Sequence, residues 1–144
     1  FDGYGVAVAE GLENTNIVGI VGGGTQPKSS PMRLTLLDTI KANPREVAYR
    51  ICNGKNIDRI VSVRLNKSLI AIVGLNFVEV WAAPPPNTLG KLKAAMQGHQ
   101  TADNPYGLIC LGKRFLIVPA KTAGQVRVVD LPHHRNVRII PSHT

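Results

Sequence analysis

The chain has 144 residues, enough for one compact body, and carries 17 Lys and Arg against 9 Asp and Glu for a formal charge of +8. That charge invites a nucleic-acid partner, yet the basic residues are scattered with no polybasic run, and the 5% of aromatic residues are not interleaved with them as single-strand binders require. No nucleic acid is therefore expected, and a soluble protein is, because every apolar run falls well short of the roughly 18 residues that span a bilayer and no signal peptide is visible.

Taken in chain order, the first unit opens with a weak strand over Gly5 to Ala9. A near-continuous apolar, β-branched run follows over Asn16 to Val21, then a strand over Arg33 to Asp38, then an alternating polar one over Glu46 to Ile51. The second unit repeats the order with Arg59 to Leu65, Ser68 to Val73 and Phe77 to Trp81, and its fourth strand falls on the less regular stretch Lys91 to Gln97. The third runs through Gly107 to Leu111, Arg114 to Val118, Gln125 to Asp130 and Asn136 to Ile140. The apolar runs are too short for helices and read as strands buried on both faces, whereas alternation gives each fourth strand one wet face.

The pattern recurs at roughly 45 to 55 residues, the range of propeller blades. The fold class is all-β: a partial β-propeller of three four-stranded antiparallel blades over residues 5–54, 55–101 and 102–144, twelve strands in all, with negligible helix. Three blades do not close a ring that needs 4 to 8. With no initiator Met, the chain is expected to be a piece of something larger.

Several local patterns imitate chemistry. Gly22-Gly23-Gly24 follows a strand as a phosphate-binding turn would, but Pro27 and Pro31 forbid the helix such a turn needs, so a wide hairpin connection is predicted. His133, His134 and His143 have no carboxylate or Cys at ligand spacing, and no metal is expected. There is no nucleophile elbow and no Cys-His pair. No enzyme and no cofactor are expected. Cys52 and Cys110 fall inside predicted strands without framework spacing, which predicts free, buried thiols in a reducing compartment.

Three stretches carry a specific resemblance: Thr15-Asn16-Ile17-Val18-Gly19-Ile20-Val21-Gly22-Gly23-Gly24-Thr25-Gln26-Pro27-Lys28-Ser29-Ser30-Pro31; Val63-Arg64-Leu65-Asn66-Lys67; and the third from Asn104-Pro105-Tyr106-Gly107-Leu108 to Gly124-Gln125-Val126-Arg127-Val128-Val129-Asp130-Leu131. Together, in order and over nearly the whole chain, they resemble the PROPPIN family, seven-bladed WD-repeat-like propellers that bind phosphoinositides in autophagy and endolysosomal traffic. On that family the chain looks like the second to fourth blades. The family's Phe-Arg-Arg-Gly lipid motif belongs further on, and Gly112-Lys113-Arg114-Phe115 is only its superficial reversal. Ala120 departs from the family's Gly after Pro119, and Asn66-Lys67-Ser68 stands where a more basic run is usual.

The resemblance implies a non-catalytic scaffold that recruits autophagy proteins to membranes carrying phosphatidylinositol 3-phosphate or phosphatidylinositol 3,5-bisphosphate. Such a protein is cytoplasmic and peripheral on preautophagosomal, endosomal or vacuolar membranes. The rival is a propeller scaffold that binds proteins only. Ile140-Pro141-Ser142-His143 resembles the family's Ile-Pro-Ala-His, which makes His143 the lipid-contact candidate; a structural hydrogen bond at a blade boundary is the equal alternative. The loop Gln26 to Arg33 and the segment Arg64 to Lys67 match the region where the family docks autophagy partners. That match singles out Lys28, Pro31, Arg33, Arg64 and Lys67 for an acidic partner, against the plainer reading of a polar hairpin loop.

Overall fold

The computed structural model describes residues 6–11, 17–22, 32–39, 45–52, 56–66, 68–83, 90–92, 95–130 and 135–141. These hold thirteen strands and no helix. In chain order they are β1 (Val6–Gly11), β2 (Ile17–Gly22), β3 (Arg33–Asp38), β4 (Arg45–Ile51), β5 (Ser62–Leu65), β6 (Leu69–Val73), β7 (Phe77–Ala82), β8 (Gly90–Lys91), β9 (Ala95–Gln100), β10 (Cys110–Leu111), β11 (Phe115–Pro119), β12 (Gln125–Asp130) and β13 (Arg135–Pro141). Three sheets form, ordered β1-β2-β3-β4-β8, β5-β6-β7-β9 and β10-β11-β12-β13.

The second sheet lies between the other two, which explains the unbroken apolar run of β6. Successive side chains of a strand point to opposite faces. Ile70 and Ile72 pack with Val21, Leu34 and Leu36 of the first sheet, whereas Leu69, Ala71 and Val73 pack with Leu116, Val118 and Val129 of the third. All five residues of β6 are buried. Each large one contributes about 1.5–3 kcal/mol relative to exposure.

One irregularity proves the repeat better than the apolar runs do. The pairing of third with fourth strand slips by a residue at the same place in every sheet: between Leu36 and Leu37, between Val80 and Trp81, and between Val128 and Val129. The fourth strand carries the extra residue, Val47, Met96 or Val137 in turn. Such bulges raise the local right-handed twist. The same twist at the same register lets neighbouring sheets stack face to face.

The structure corrects five expectations. The first sheet has a fifth strand, because β8 joins it in parallel pairing, Ala48 with Gly90 and Tyr49 with Lys91, and the Leu92 amide then donates to the Tyr49 carbonyl at 2.8 Å. The fourth strand of the second sheet is Ala95–Gln100 rather than Lys91 to Gln97, since Lys91 is taken by the first sheet. Two first strands are shorter than the runs suggested. Before β10 the buried Asn104 side chain bonds the Leu108 amide at 2.9 Å and its carbonyl at 3.0 Å, and Gly107 takes φ +63°, a left-handed conformation that breaks the ladder. Before β5, Ile57 and Ile60 turn inward around exposed Asp58 and Arg59.

The remaining two concern burial. The third sheet's apolar run is covered on one face only: Leu116 and Val118 are buried, whereas Phe115 and Ile117 are 37% and 38% exposed because no described sheet packs over them. Cys110 pairs with Ile117 across β10 and β11, shares that open face and is exposed. Cys52 is buried as expected, just beyond β4, and both thiols are free.

Candidate functional site

Arg33 opens β3 where the chain emerges from the loop that joins β2 to β3. These two strands are antiparallel neighbours, as a hairpin connection requires. The guanidinium lies across β3 and β4: its Nε donates to Thr35 Oγ1 at 3.1 Å, its Nη2 is ion-paired with Glu46, and its carbon sits 4.3 Å from the Tyr49 ring centre. The Arg33 charge is thus already met within the sheet. The guanidinium presents a pre-ordered planar surface with Tyr49 rather than a free cation.

Arg64 lies in β5 and is partly buried, with Nη1 donating to the Val63 carbonyl at 3.4 Å. The following turn is fixed by Asn66, whose Oδ1 accepts from the Ser68 and Leu69 amides at 2.8 Å each and whose Nδ2 reaches the Gly112 carbonyl of the third sheet at 3.2 Å. Lys28, Pro31, Lys67 and His143 lie outside the described residues.

Arg33 and Arg64 are not brought together. The Cys52 amide donates to the Met32 carbonyl at 2.8 Å, so β4 ends where β3 begins, and the connection from there enters β5 where the Val61 amide meets the Val73 carbonyl at 2.7 Å. That end holds Arg33. The β5–β6 turn, with Arg64 near it, is at the other end of the sheets.

The most organised polar cluster was not singled out in the sequence. Arg50 of β4 crosses to Glu79 of β7 with Nε to Oε1 at 3.1 Å and Nη2 to Oε2 at 3.2 Å, a two-pronged pair that joins the first sheet to the second. Trp81 Nε1 donates to the same Glu79 Oε1 at 2.9 Å, and the Arg50 guanidinium lies 4.6 Å from the Trp81 ring centre. The hydrogen bond to Glu79 raises the Arg50 pKa above its ordinary value, and burial pushes the neighbouring Cys52 thiol up to about 12. This thiol stays protonated and inert at neutral pH. The cluster is a clip between sheets. Nothing in the local pattern around Arg50 announces a partner 29 residues away.

Among the described residues no group of three His, Cys, Asp or Glu side chains could hold a metal ion, and no helix is long and apolar enough to cross a membrane.

No protein-family model matches the chain. Among curated proteins it is 34% identical over 134 residues to SVP1-like protein 2 of Emericella nidulans, covering 92% of this chain and 38% of that protein. It is 32% identical over 139 residues to Autophagy-related protein 18b of Arabidopsis thaliana, covering 90% and 34%. Among solved structures, the crystal structure of Kluyveromyces marxianus Hsv2 superposes with a TM-score of 0.71 at 16% identity, over 96% of this chain and 37% of that one. The chain belongs to the PROPPIN family. Kluyveromyces lactis Hsv2 has the same fold, at a TM-score of 0.59 and 9% identity over 96% and 37% of the two chains. This PROPPIN chain spans a little over a third of the length of these relatives.

Proposed function

We propose that this PROPPIN chain serves a non-catalytic scaffold that recruits autophagy proteins to membranes carrying phosphatidylinositol 3-phosphate or phosphatidylinositol 3,5-bisphosphate. The observation that carries the reading is its kinship, in order and over most of its length, with Autophagy-related protein 18b. In this reading the protein is cytoplasmic and joins preautophagosomal, endosomal or vacuolar membranes peripherally. His143 contributes to one headgroup pocket, where a neutral imidazole donates a hydrogen bond to phosphate and a protonated one adds charge.

Partner docking uses the loop ending at Arg33, with Lys28 and Pro31, and the segment with Arg64 and Lys67. Since Arg33 and Arg64 lie toward opposite ends of the sheets, a partner that touches both must reach from one end to the other rather than sit in one pocket. The test uses the full-length protein with Lys28→Glu and Lys67→Glu. Arg33→Gln accompanies them, because an acid at position 33 would be set against Glu46. Capture of an autophagy partner should fall while flotation with vesicles of either phosphoinositide is unchanged, with circular dichroism as the check on folding. Full capture by the triple variant would refute the docking reading, and vesicles that never float the wild type would leave the protein-only scaffold.

A further inference from the structure

At one end of the second sheet, reaching the third through Lys121, a cleft of about 350 Å³ opens to solvent, lined by Asn56, Asn76, Phe77, Gln100, Thr101 and Lys121. These residues come from four separate places: the approach to β5, the β6–β7 turn with the start of β7, the end of β9 and the β11–β12 turn. Arg33, Arg64 and the other positions given a role above are not among them. The inference therefore stands apart from the recruitment reading.

The backbone under the cleft is fixed. The Thr101 amide donates to the Asn76 carbonyl at 2.9 Å, the Ala102 amide to the Ala120 carbonyl at 2.7 Å, and the Gly74 amide to the Phe77 carbonyl at 2.8 Å. Ile57, beside Asn56, is 1% exposed and touches the turn at Gly74. Phe77 is partly buried against the core shared with the first sheet, and a Cβ at neighbouring Gly98 would come within 2.5 Å of its ring.

The side-chain heads have the opposite character. Asn56, Asn76, Gln100 and Lys121 are exposed, and among the described residues they take part in neither of the ion pairs that hold the sheets. Three carboxamides on a rigid floor each present a donor and an acceptor, which is the pattern of the peptide group itself. The lining includes one cation and no acid; the acidic residues nearest in sequence, Asp58, Glu79 and Asp103, lie outside it. A phosphate dianion would call for more positive charge or converging backbone amides. A peptide needs only this: amides for its backbone, a ring to lie on and one ammonium for one carboxylate.

We propose that this cleft docks a short extended peptide segment bearing one acidic side chain, with the carboxylate on Lys121, the backbone on the three carboxamides and a neighbouring side chain on Phe77. Pre-ordered walls lower the cost of capturing a flexible segment. The site lies at the end of the second sheet and shares no lining residue with the surface around Arg33.

The test is a titration of the ¹⁵N-labelled chain with the capped peptide acetyl-Ser-Asp-Ala-Gly-amide, read on the side-chain NH₂ signals of Asn56, Asn76 and Gln100, which report the lining directly. Saturable shifts of all three are expected, and the same peptide with Asn in place of Asp should bind about tenfold more weakly, as losing one charge-assisted contact requires. Lys121→Gln should weaken the acidic peptide by the same factor and make the two peptides equal. The substituted side chain is exposed, and the spectrum itself shows whether the variant is folded. Absence of saturable shifts, an unchanged affinity in Lys121→Gln, or tighter binding of inorganic phosphate at the same signals would overturn the proposal.

Discussion

Breaking the clip between the first two sheets should cost far more than breaking the ion pair beside it on the surface. Glu79→Ala removes the acceptor for two Arg50 nitrogens and for the Trp81 indole. The two charged side chains are 16% and 14% exposed, so screening is partial. An exposed pair is worth about 0–1 kcal/mol, and breaking a fully buried one costs about 3–5 kcal/mol. The clip falls between these limits, and leaving Arg50 unpaired beneath Trp81 adds desolvation, so a loss of about 2–3 kcal/mol is expected. For a chain of this size that corresponds to a fall in Tm of about 4–12 °C.

A double-mutant cycle isolates the pair term. Arg50→Met keeps an apolar stem on the indole, Glu79→Gln keeps the shape, and the two together should be less damaging than their sum by about 1–2 kcal/mol. Urea unfolding can be followed by the fluorescence of Trp81, the single Trp of the chain, which sits inside the clip. Arg33→Gln with Glu46→Gln serves as the exposed control, since those side chains are 26% and 44% exposed and their coupling should stay within about 1 kcal/mol. A clip coupling no larger than this control would refute the claim that the pair joins the sheets energetically.

The two thiols should separate by reactivity: iodoacetamide at pH 8 should label exposed Cys110 in the native chain and Cys52 only after unfolding, as mass spectrometry would show. Because burial raises Cys52 from its ordinary 9.0 to about 12, its contribution to stability is complete below pH 9 and is lost as pH climbs toward 12, a decline that Cys52→Ala should flatten in urea titrations. At position 98 even alanine is too large: its Cβ would lie 2.5 Å from the Phe77 ring, so Gly98→Ala should cost about 1–3 kcal/mol in thermal unfolding. Adding Phe77→Leu to that variant should return part of the loss, and strict additivity of the two changes would remove the explanation.

Strands were legible where a short run rich in apolar and β-branched residues is bounded by turn signals, even though burial does not alternate along it. β3 and β12 span the residues expected of them, Arg33–Asp38 and Gln125–Asp130. β6 was readable in the same way, since a strand covered on both faces needs no alternation at all. The same logic misled at β11. Phe115 and Ile117 are as apolar as Ile70 and Ile72, and only the presence or absence of a neighbouring sheet separates exposed from buried. β8 left no trace in the sequence because two residues have no period, and its strand character comes wholly from pairing with Ala48 and Tyr49.

The polar features divide along the same line. Arg33 could be picked out from its place after the Pro-containing loop, but its engagement by Glu46 and Tyr49 depends on the register of β3 against β4. That register is set by the bulge at Val47. Without the extra residue, every contact beyond it would turn to the other face of the strand. Arg50 lies on the Cys52 side of that bulge and meets Glu79 of the next sheet, whereas Glu46 lies on the far side and meets Arg33 of its own. One inserted residue thus separates an inward clip from an outward surface on a single strand. The insertion recurs at Met96 and Val137, so the pairing of the fourth strand shifts at the same register in each sheet.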